Sequence, residues 1–400
     1  MNRNIILTLL FVWTAFLCNA QKKEISQARA NIKGGNNLEQ AEKSMRKLLE
    51  DSTNIDNRKI WLTMFDAIKK QYEQGNEKLY LKQKYDTASL FNIAHRLFQE
   101  MERFDSVDAK PDRKGKVKPE YRKKHSELLN VLRPNLYQGA LFYMAKGRYQ
   151  EAYHCLSTYI DCAASPLFRE YKYSERDTMM TKAAYWASYC GYMLKEPRKT
   201  LHNAYLALKE KKHIESMLQY LASTYLLEGD TTRYLKALHE GFDRFPQNAY
   251  FYSQLIDFNT SEGEWQQALG ITDKALKANV DNATLQTVKS TILLNLQRYD
   301  ECMLLCDSVL GVNDSIPIAT LNAGLACFNK AVSMDAKGKR ASHKKQILEL
   351  YGKAMPYLEK ARILMPEGKD KWALPLYTIY LNLNKGKEFE EIDALIKSKE

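Results

Sequence analysis

Between Glu215 and Ile316 three stretches of the chain superimpose on one another at a step of 34 residues. Gly229, Gly263 and Gln297 fall in register, as do Thr231, Trp265 and Tyr299. Leu238, Thr272 and Cys306 follow, then Gly241, Ala275 and Val309. A step of this length, with small and aromatic residues at fixed offsets, predicts a helix–turn–helix unit repeated along the chain. Glycine suits the turn, where a positive φ costs it little. Alanines such as Ala152 and Ala268 mark close approach of two helices, and Tyr225 and Trp265 fill the gap to the next unit.

The pattern extends both ways. Toward the N-terminus, Leu136, Tyr143, Gly147, Tyr149, Ala152 and Leu156 keep the same offsets, and Pro166 closes that unit. The next hairpin puts Tyr185, Trp186, Tyr189 and Tyr192 on its first helix and Leu201, Ala204, Tyr205 and Leu208 on its second. The predicted units are therefore 133–166, 183–214, 215–248, 249–282 and 283–316, within a segment 131–316. Beyond it, 317–400 reads as one more unit with a basic insertion at about 333–347, then capping helices. Residues 21–130 read as a divergent helical start. Two helices are predicted over 22–60, the first stopping at Gly34-Gly35. Trp61, Met64, Phe65, Ile68 and Tyr72 predict a third helix, broken at Gly75-Asn76. A fourth is predicted from Lys78 to about Met101.

This block resembles the tetratricopeptide repeat. The resemblance is carried by 133–366 and implies an all-α fold, an α-solenoid of antiparallel helix pairs wound as a right-handed superhelix. In that family the first helix of each pair lines a concave groove that holds peptides or partner proteins. Carried onto this chain, the groove positions are Gln219, Ser223, Tyr250, Ser253, Asp257, Thr287, Thr291 and Asn295. They are mostly polar. The Lys, Arg and Asn set with which one subclass clamps a C-terminal carboxylate is absent, so capture of chaperone tails is not implied. Each position also reads as plain solvated surface.

Charge and the N-terminus bear on partners. Lys and Arg exceed Asp and Glu by 12, with a pI near 9.1. Arg3 precedes an apolar run from Ile5 to Leu17, and Cys18-Asn19-Ala20 offers small residues before Gln21. That is the make-up of a cleaved leader over 1–20, with an apolar core too short to span a bilayer. The protein is expected to be exported, periplasmic or outer-membrane-associated. Lipidation at Cys18 is the less favoured alternative, because Leu17 stands where a lipobox needs a small residue. Export removes nucleic acid as the natural partner of the positive charge, and no transmembrane segment is expected after leader cleavage. The densest charge lies between Lys110 and Lys124, where eight Lys or Arg are interrupted by Pro111, Gly115 and Pro119. Lys114, Lys116, Lys123 and Lys124 are candidates for an anion contact, though a solvated loop is the favoured reading.

Candidate chemistry is sparse. The sequence holds no GxxxxGK[ST], GxGxxG or GxSxG pattern. Its seven histidines pair with no Glu or Cys at a ligand or nucleophile spacing, and no metal or cofactor is expected. Six cysteines follow the leader and read as buried thiols. The expectation is a non-catalytic scaffold of the bacterial envelope that binds a peptide or protein partner in its groove. The alternative is a glycan- or anion-binding module.

Overall fold

The structure, a computed structural model, describes residues 21–335 and 340–397. The expected leader over 1–20, part of the basic insertion and residues 398–400 lie outside the described residues. Among those described there is no strand. The fold is all-α, built of antiparallel helix pairs, and it divides at Thr231 into two compact units.

In the first unit α1 covers 21–34, followed by α2 (Leu38–Glu50), α3 (Arg58–Tyr80), α4 (Thr87–Asp108), α5 (Arg122–Ala145) and α6 (Tyr149–Asp161). A 3-10 segment (Pro166–Tyr171) and the short α7 (Tyr173–Arg176) lead to α8 (Met180–Met193), α9 (Pro197–His202), α10 (Ala204–Ala207) and α11 (Ile214–Leu227). From α2 to α6 each helix packs on the next in sequence, α6 packs on α8, and α11 packs on α8 and α9. The second unit holds α12 (Thr231–Arg244), α13 (Ala249–Ser261), α14 (Trp265–Ala278), α15 (Ala283–Asn295), α16 (Tyr299–Val312), α17 (Pro317–Met334), α18 (Arg340–Leu364), α19 (Lys369–Asn382) and α20 (Gly386–Lys397). From α13 onward each helix again packs on its successor, and α17 also touches α15 and α19.

Turn chemistry explains the regularity. Gly147, Gly229 and Gly263 have φ of 69°, 72° and 74°, the left-handed region in which an L side chain is strained. Lys195, Gln297 and Asn384 fill the corresponding turns with φ of 56°, 58° and 53°. Asn248 and Asn282 cap the first helices α13 and α15 by accepting from the backbone N–H of Tyr250 and Leu285. Gly241 is required by contact: a Cβ there would lie 2.2 Å from the Phe251 ring. Ala152 and Ala268 are fully buried, as their close-approach role demands. One core cluster joins Ile256, Leu269, Ile292, Leu293, Cys302, Cys306 and Ala323 across successive helices. Burying each large side chain in such a stack contributes about 1.5–3 kcal/mol, which one hairpin alone could not secure.

Three expectations fail in detail. α3 does not break at Gly75-Asn76 but runs to Tyr80. The glycine serves packing there, since a Cβ would lie 2.7 Å from the Tyr85 ring. The fourth helix starts at Thr87 and not at Lys78, because Asp86 accepts from the N–H groups of Ala88 and Ser89 and fixes its first turn. The second helix of the 183–214 hairpin is split at Asn203 into α9 and α10. In the C-terminal region α17 and α18 are 18 and 25 residues long, against 13 or 14 from α13 to α16.

Candidate functional site

The expected groove residues fall in both units. Gln219 and Ser223 are half-buried on α11 in the first. Ser223 lines a pocket of about 230 Å³ with Tyr192, Pro197, Thr200 and Leu227. In the second unit Ser253 and Asp257 line a pocket of about 430 Å³ with Tyr252, Asn282 and Val288. Tyr250 is half-buried on the same helix, and the Ser253 hydroxyl donates back to its carbonyl at 3.1 Å. The polar groups on α15 turn mostly onto their own helix. Thr287 donates to Ala283 O at 2.8 Å, and Asn295 donates to Thr291 O at 2.8 Å. Thr291 also accepts from Asn322 on α17 at 2.8 Å, which ties adjacent first helices together. Thr291 is thus a structural link as well as a surface residue.

The sequence places Tyr185, Trp186, Tyr189 and Tyr192 together on the first helix of their hairpin. The structure gathers them with others into one face. Tyr192 stacks on Tyr220 of α11 at 4.6 Å between ring centroids, inclined by 24°. Tyr185 and Tyr189 reach the same ring at 6.0 and 5.8 Å. His213 stands edge-on to Tyr185 at 4.3 Å and to Trp186 at 5.9 Å. Trp186, Tyr189, Tyr192, Tyr220 and His213 are all half-buried, so part of each side chain is presented to solvent. Burial raises the Tyr189 hydroxyl to about 12 and raises Tyr220 further, helped by its hydrogen bond with Tyr185. These phenols stay neutral donors at ordinary pH. The Trp186 indole N–H faces the Tyr137 hydroxyl without closing a good hydrogen bond, and His213 Nδ1 has no partner among the described residues. The sequence signal was the spacing of Tyr185, Tyr189 and Tyr192, three aromatics one helical turn apart, with Tyr220 one repeat later.

Lys114, Lys116, Lys123 and Lys124 are all exposed. The first two sit on a turn closed by Asp112, whose carboxylate accepts from their backbone N–H groups at 2.8 and 3.0 Å. Lys123 and Lys124 belong to the first turn of α5. No ion pair among the described residues engages any of the four. Their neighbours in the basic run are held: Arg122 grips Asp105 with two bonds at 2.8 and 2.7 Å, and Lys110 pairs with Asp56.

The six cysteines are buried and free. Burial pushes Cys155, Cys162 and Cys190 to about 12 and Cys327 to about 11, so these are packing thiols and not nucleophiles. Among the described residues no group of three or more His, Cys, Asp or Glu is placed to hold a metal ion. None of the described helices is long and apolar enough to cross a membrane.

No protein-family model matches this chain, and no curated protein matches it. Solved structures of helical-repeat proteins do. The C-terminal part of a TPR repeat-containing protein from Cytophaga hutchinsonii aligns at 15% identity over 64% of this chain and 92% of its own, with a TM-score of 0.42. MamA from Desulfovibrio magneticus RS-1, residues 41 to the end, aligns at 18% identity over 46% of this chain and 97% of its own, with a TM-score of 0.36. Yeast Tom70 aligns at 12% identity over 94% and 91%, with a TM-score of 0.33. Function therefore rests on this chain's own residues.

Proposed function

We propose that the protein is a non-catalytic scaffold that holds a peptide or protein partner on the exposed side of its first helices. The observation that carries this reading is the aromatic face of α8 and α11. Half-buried Tyr and Trp rings offer large, stiff contact area, and their polar edges supply donors for a partner's carbonyls. Gln219 and Ser223 flank Tyr220 on the same helix and extend the surface with neutral polar groups. Tyr250, Ser253, Asp257, Thr287, Thr291 and Asn295 form the corresponding surface of the second unit. A leader over 1–20 would deliver the scaffold to the periplasm or the outer membrane, where its partner would be met.

A photo-crosslinking residue at Ser223, used in cells and read by mass spectrometry, tests this. The expected product is a discrete crosslinked polypeptide that disappears in the Tyr192→Ala, Tyr220→Ala double variant. Crosslinks that persist in that variant, or none at all, would defeat the reading.

One observation favours a second reading, a glycan- or anion-binding module: the four lysines of the basic segment have no ion-pair partner among the described residues. Changing Lys114, Lys116, Lys123 and Lys124 to Ala should then abolish binding of heparin, a polyanionic glycan. That binding should also fall steeply between low salt and about 0.15 M, where screening acts within ~8 Å.

A further inference from the structure

A cavity opens between second helices of the second unit. Asp300, Met303, Leu304 and Asp307 form one wall from successive turns of α16. Lys353, Pro356, Tyr357 and Lys360 form the other from α18, and Ala323 and Cys327 of α17 make the floor. The space between them is about 770 Å³. It exists because the floor residues are small. It stays open because its walls are tied at one end: the Tyr357 hydroxyl donates to Asp307 at 2.6 Å and Lys360 pairs with Asp314 at 2.8 Å. The trough is thus formed in advance of any partner. Gly324 fixes how deep α18 sits, since a Cβ there would lie 2.7 Å from Leu358.

Two features ask for an occupant. Leu304, on the rim, is 72% exposed although it adjoins the apolar floor. Of the four charged residues on the walls, Asp300 is paired with Lys330 and Lys360 with Asp314, while Asp307 accepts from the neutral Tyr357 hydroxyl and keeps its charge. Lys353 alone is exposed with no carboxylate in ion-pair range among the described residues. The walls present side chains at i, i+3, i+4 and i+7, the periodicity that another helix matches.

We infer that this trough binds an acidic amphipathic helix, which lays an apolar stripe on Met303, Leu304, Cys327 and Tyr357 and sets a Glu or Asp against Lys353. The mode is an amphipathic helix in a groove. The site is independent of the aromatic face of the first unit and holds whether or not that face binds anything.

The probe is a labelled peptide of about 14 residues, four helical turns, with leucines at i and i+4 and glutamates on one flank. Its binding to the full chain is followed by fluorescence anisotropy. The wild-type protein is expected to bind it. Leu304→Glu should weaken binding at least tenfold. Lys353→Glu should weaken it about fivefold, as loss of an exposed pair allows, and a peptide with lysine for glutamate should recover that loss. Both changes are at exposed positions, and unchanged circular dichroism confirms the fold. Tyr192→Ala should leave binding intact. The inference is overturned if both trough variants bind as the wild type does, or if a peptide with lysine on both flanks binds equally well. It is also overturned if Tyr192→Ala abolishes binding. Dodecanoate binding in place of the peptide, with the same loss in Leu304→Glu, would replace the helical occupant with an acyl chain.

Discussion

The two units solve the same packing problem with different materials. In the second unit the buried polar residues are Asn259, Thr272, Ser290, Thr320 and Asn322, all neutral. Four of them return their side chain to a carbonyl of their own helix, and Asn322 reaches Ser290 and Thr291 on the neighbouring first helix. In the first unit, Glu42, Glu100, Asp105, Asp108 and Arg133 are buried with their charges. They work as ion networks: Arg46 bridges Glu42 and Glu100, Arg96 reaches Glu42, Arg58 pairs with Asp108, and Arg122 with Asp105. These networks hold the helices of 22 to 24 residues, α3 to α5, whereas the helices from α13 to α16 are 13 or 14 residues long and stack on apolar periodicity, with Lys289–Asp273 as a partly exposed ion pair between α15 and α14. Where helix length repeats, a short set of small and large apolar positions specifies the packing. Where it does not, individual charges fix the register, and removing one partner leaves the other buried and unpaired.

The strongest break in this contrast is at Arg133, 5% exposed. Its guanidinium lies between the rings of Tyr159 and Tyr173, at 3.7 and 3.8 Å from their centroids, and pairs with Asp177 at 2.6 Å. Nη2 also donates to Tyr159 O at 2.9 Å. Arg133→Met keeps much of the volume but removes the only cation on Asp177 among the described residues, leaving it the Tyr159 hydroxyl and the Met179 N–H. It should destabilise the first unit by about 3 kcal/mol, seen as faster hydrogen exchange in α5, α6 and α8. Exchange in α13 to α16 should stay unchanged. Equal acceleration in both units would mean that the charge network is not local.

A second contrast is acid response, because the shifted buried acids and imidazoles are in the first unit. Burial raises Glu102 to about 7, with Asp161 and Asp105 adding repulsion. Burial lowers His95 and His125 to about 4. The signs oppose. Glu102 binds its proton more readily folded than unfolded, so it favours folding more as pH falls from 7 toward 4.5. The histidines bind theirs more readily unfolded, so they withdraw stability as pH falls from 6.5 toward 4. In Glu102→Gln the histidine effect loses the opposition of Glu102. Urea midpoints of that variant should therefore fall more steeply between pH 7 and 5 than those of the wild type. A parallel pH dependence would show that Glu102 ionises freely in the folded chain.

The same division governs what the sequence made legible. From 215 to 316 the fixed step placed the turns, and Gly229 and Gly263 have the positive φ expected of them. In 21–130 no step exists, so local punctuation had to stand in for it and misled. Gly75 reads as a helix end but is a notch for Tyr85, and that contact is invisible from sequence because the two residues belong to different elements. The aromatic residues of α8 were visible as a periodic set, yet their joint face with Tyr220 and His213 depends on how α11 lies against α8. The trough between α16 and α18 was missed for the same reason: Asp307 and Tyr357 are 50 residues apart and meet only because α17 is narrow.

The smallest and sharpest comparison lies inside the second unit, between its turns. Gly263 and Gln297 hold the same place in successive repeats, with φ of 74° and 58°. Holding glutamine there costs about 1–2 kcal/mol relative to glycine. Glycine loses roughly 0.5–1 kcal/mol more backbone entropy on folding. The strain term is the larger, so Gln297→Gly should stabilise the second unit by about 0.5–1 kcal/mol, and Gly263→Gln should destabilise it by a similar amount. No Cβ contact opposes the latter, since nothing lies within 4 Å of the Cβ position at Gly263. Urea midpoints of the two single variants and the double variant close the comparison. If the turn conformation alone decides, exchanging the two residues leaves stability where it began. A double variant less stable than the wild type would show that Gln297 makes a contribution beyond its backbone, and that the turns are not equivalent.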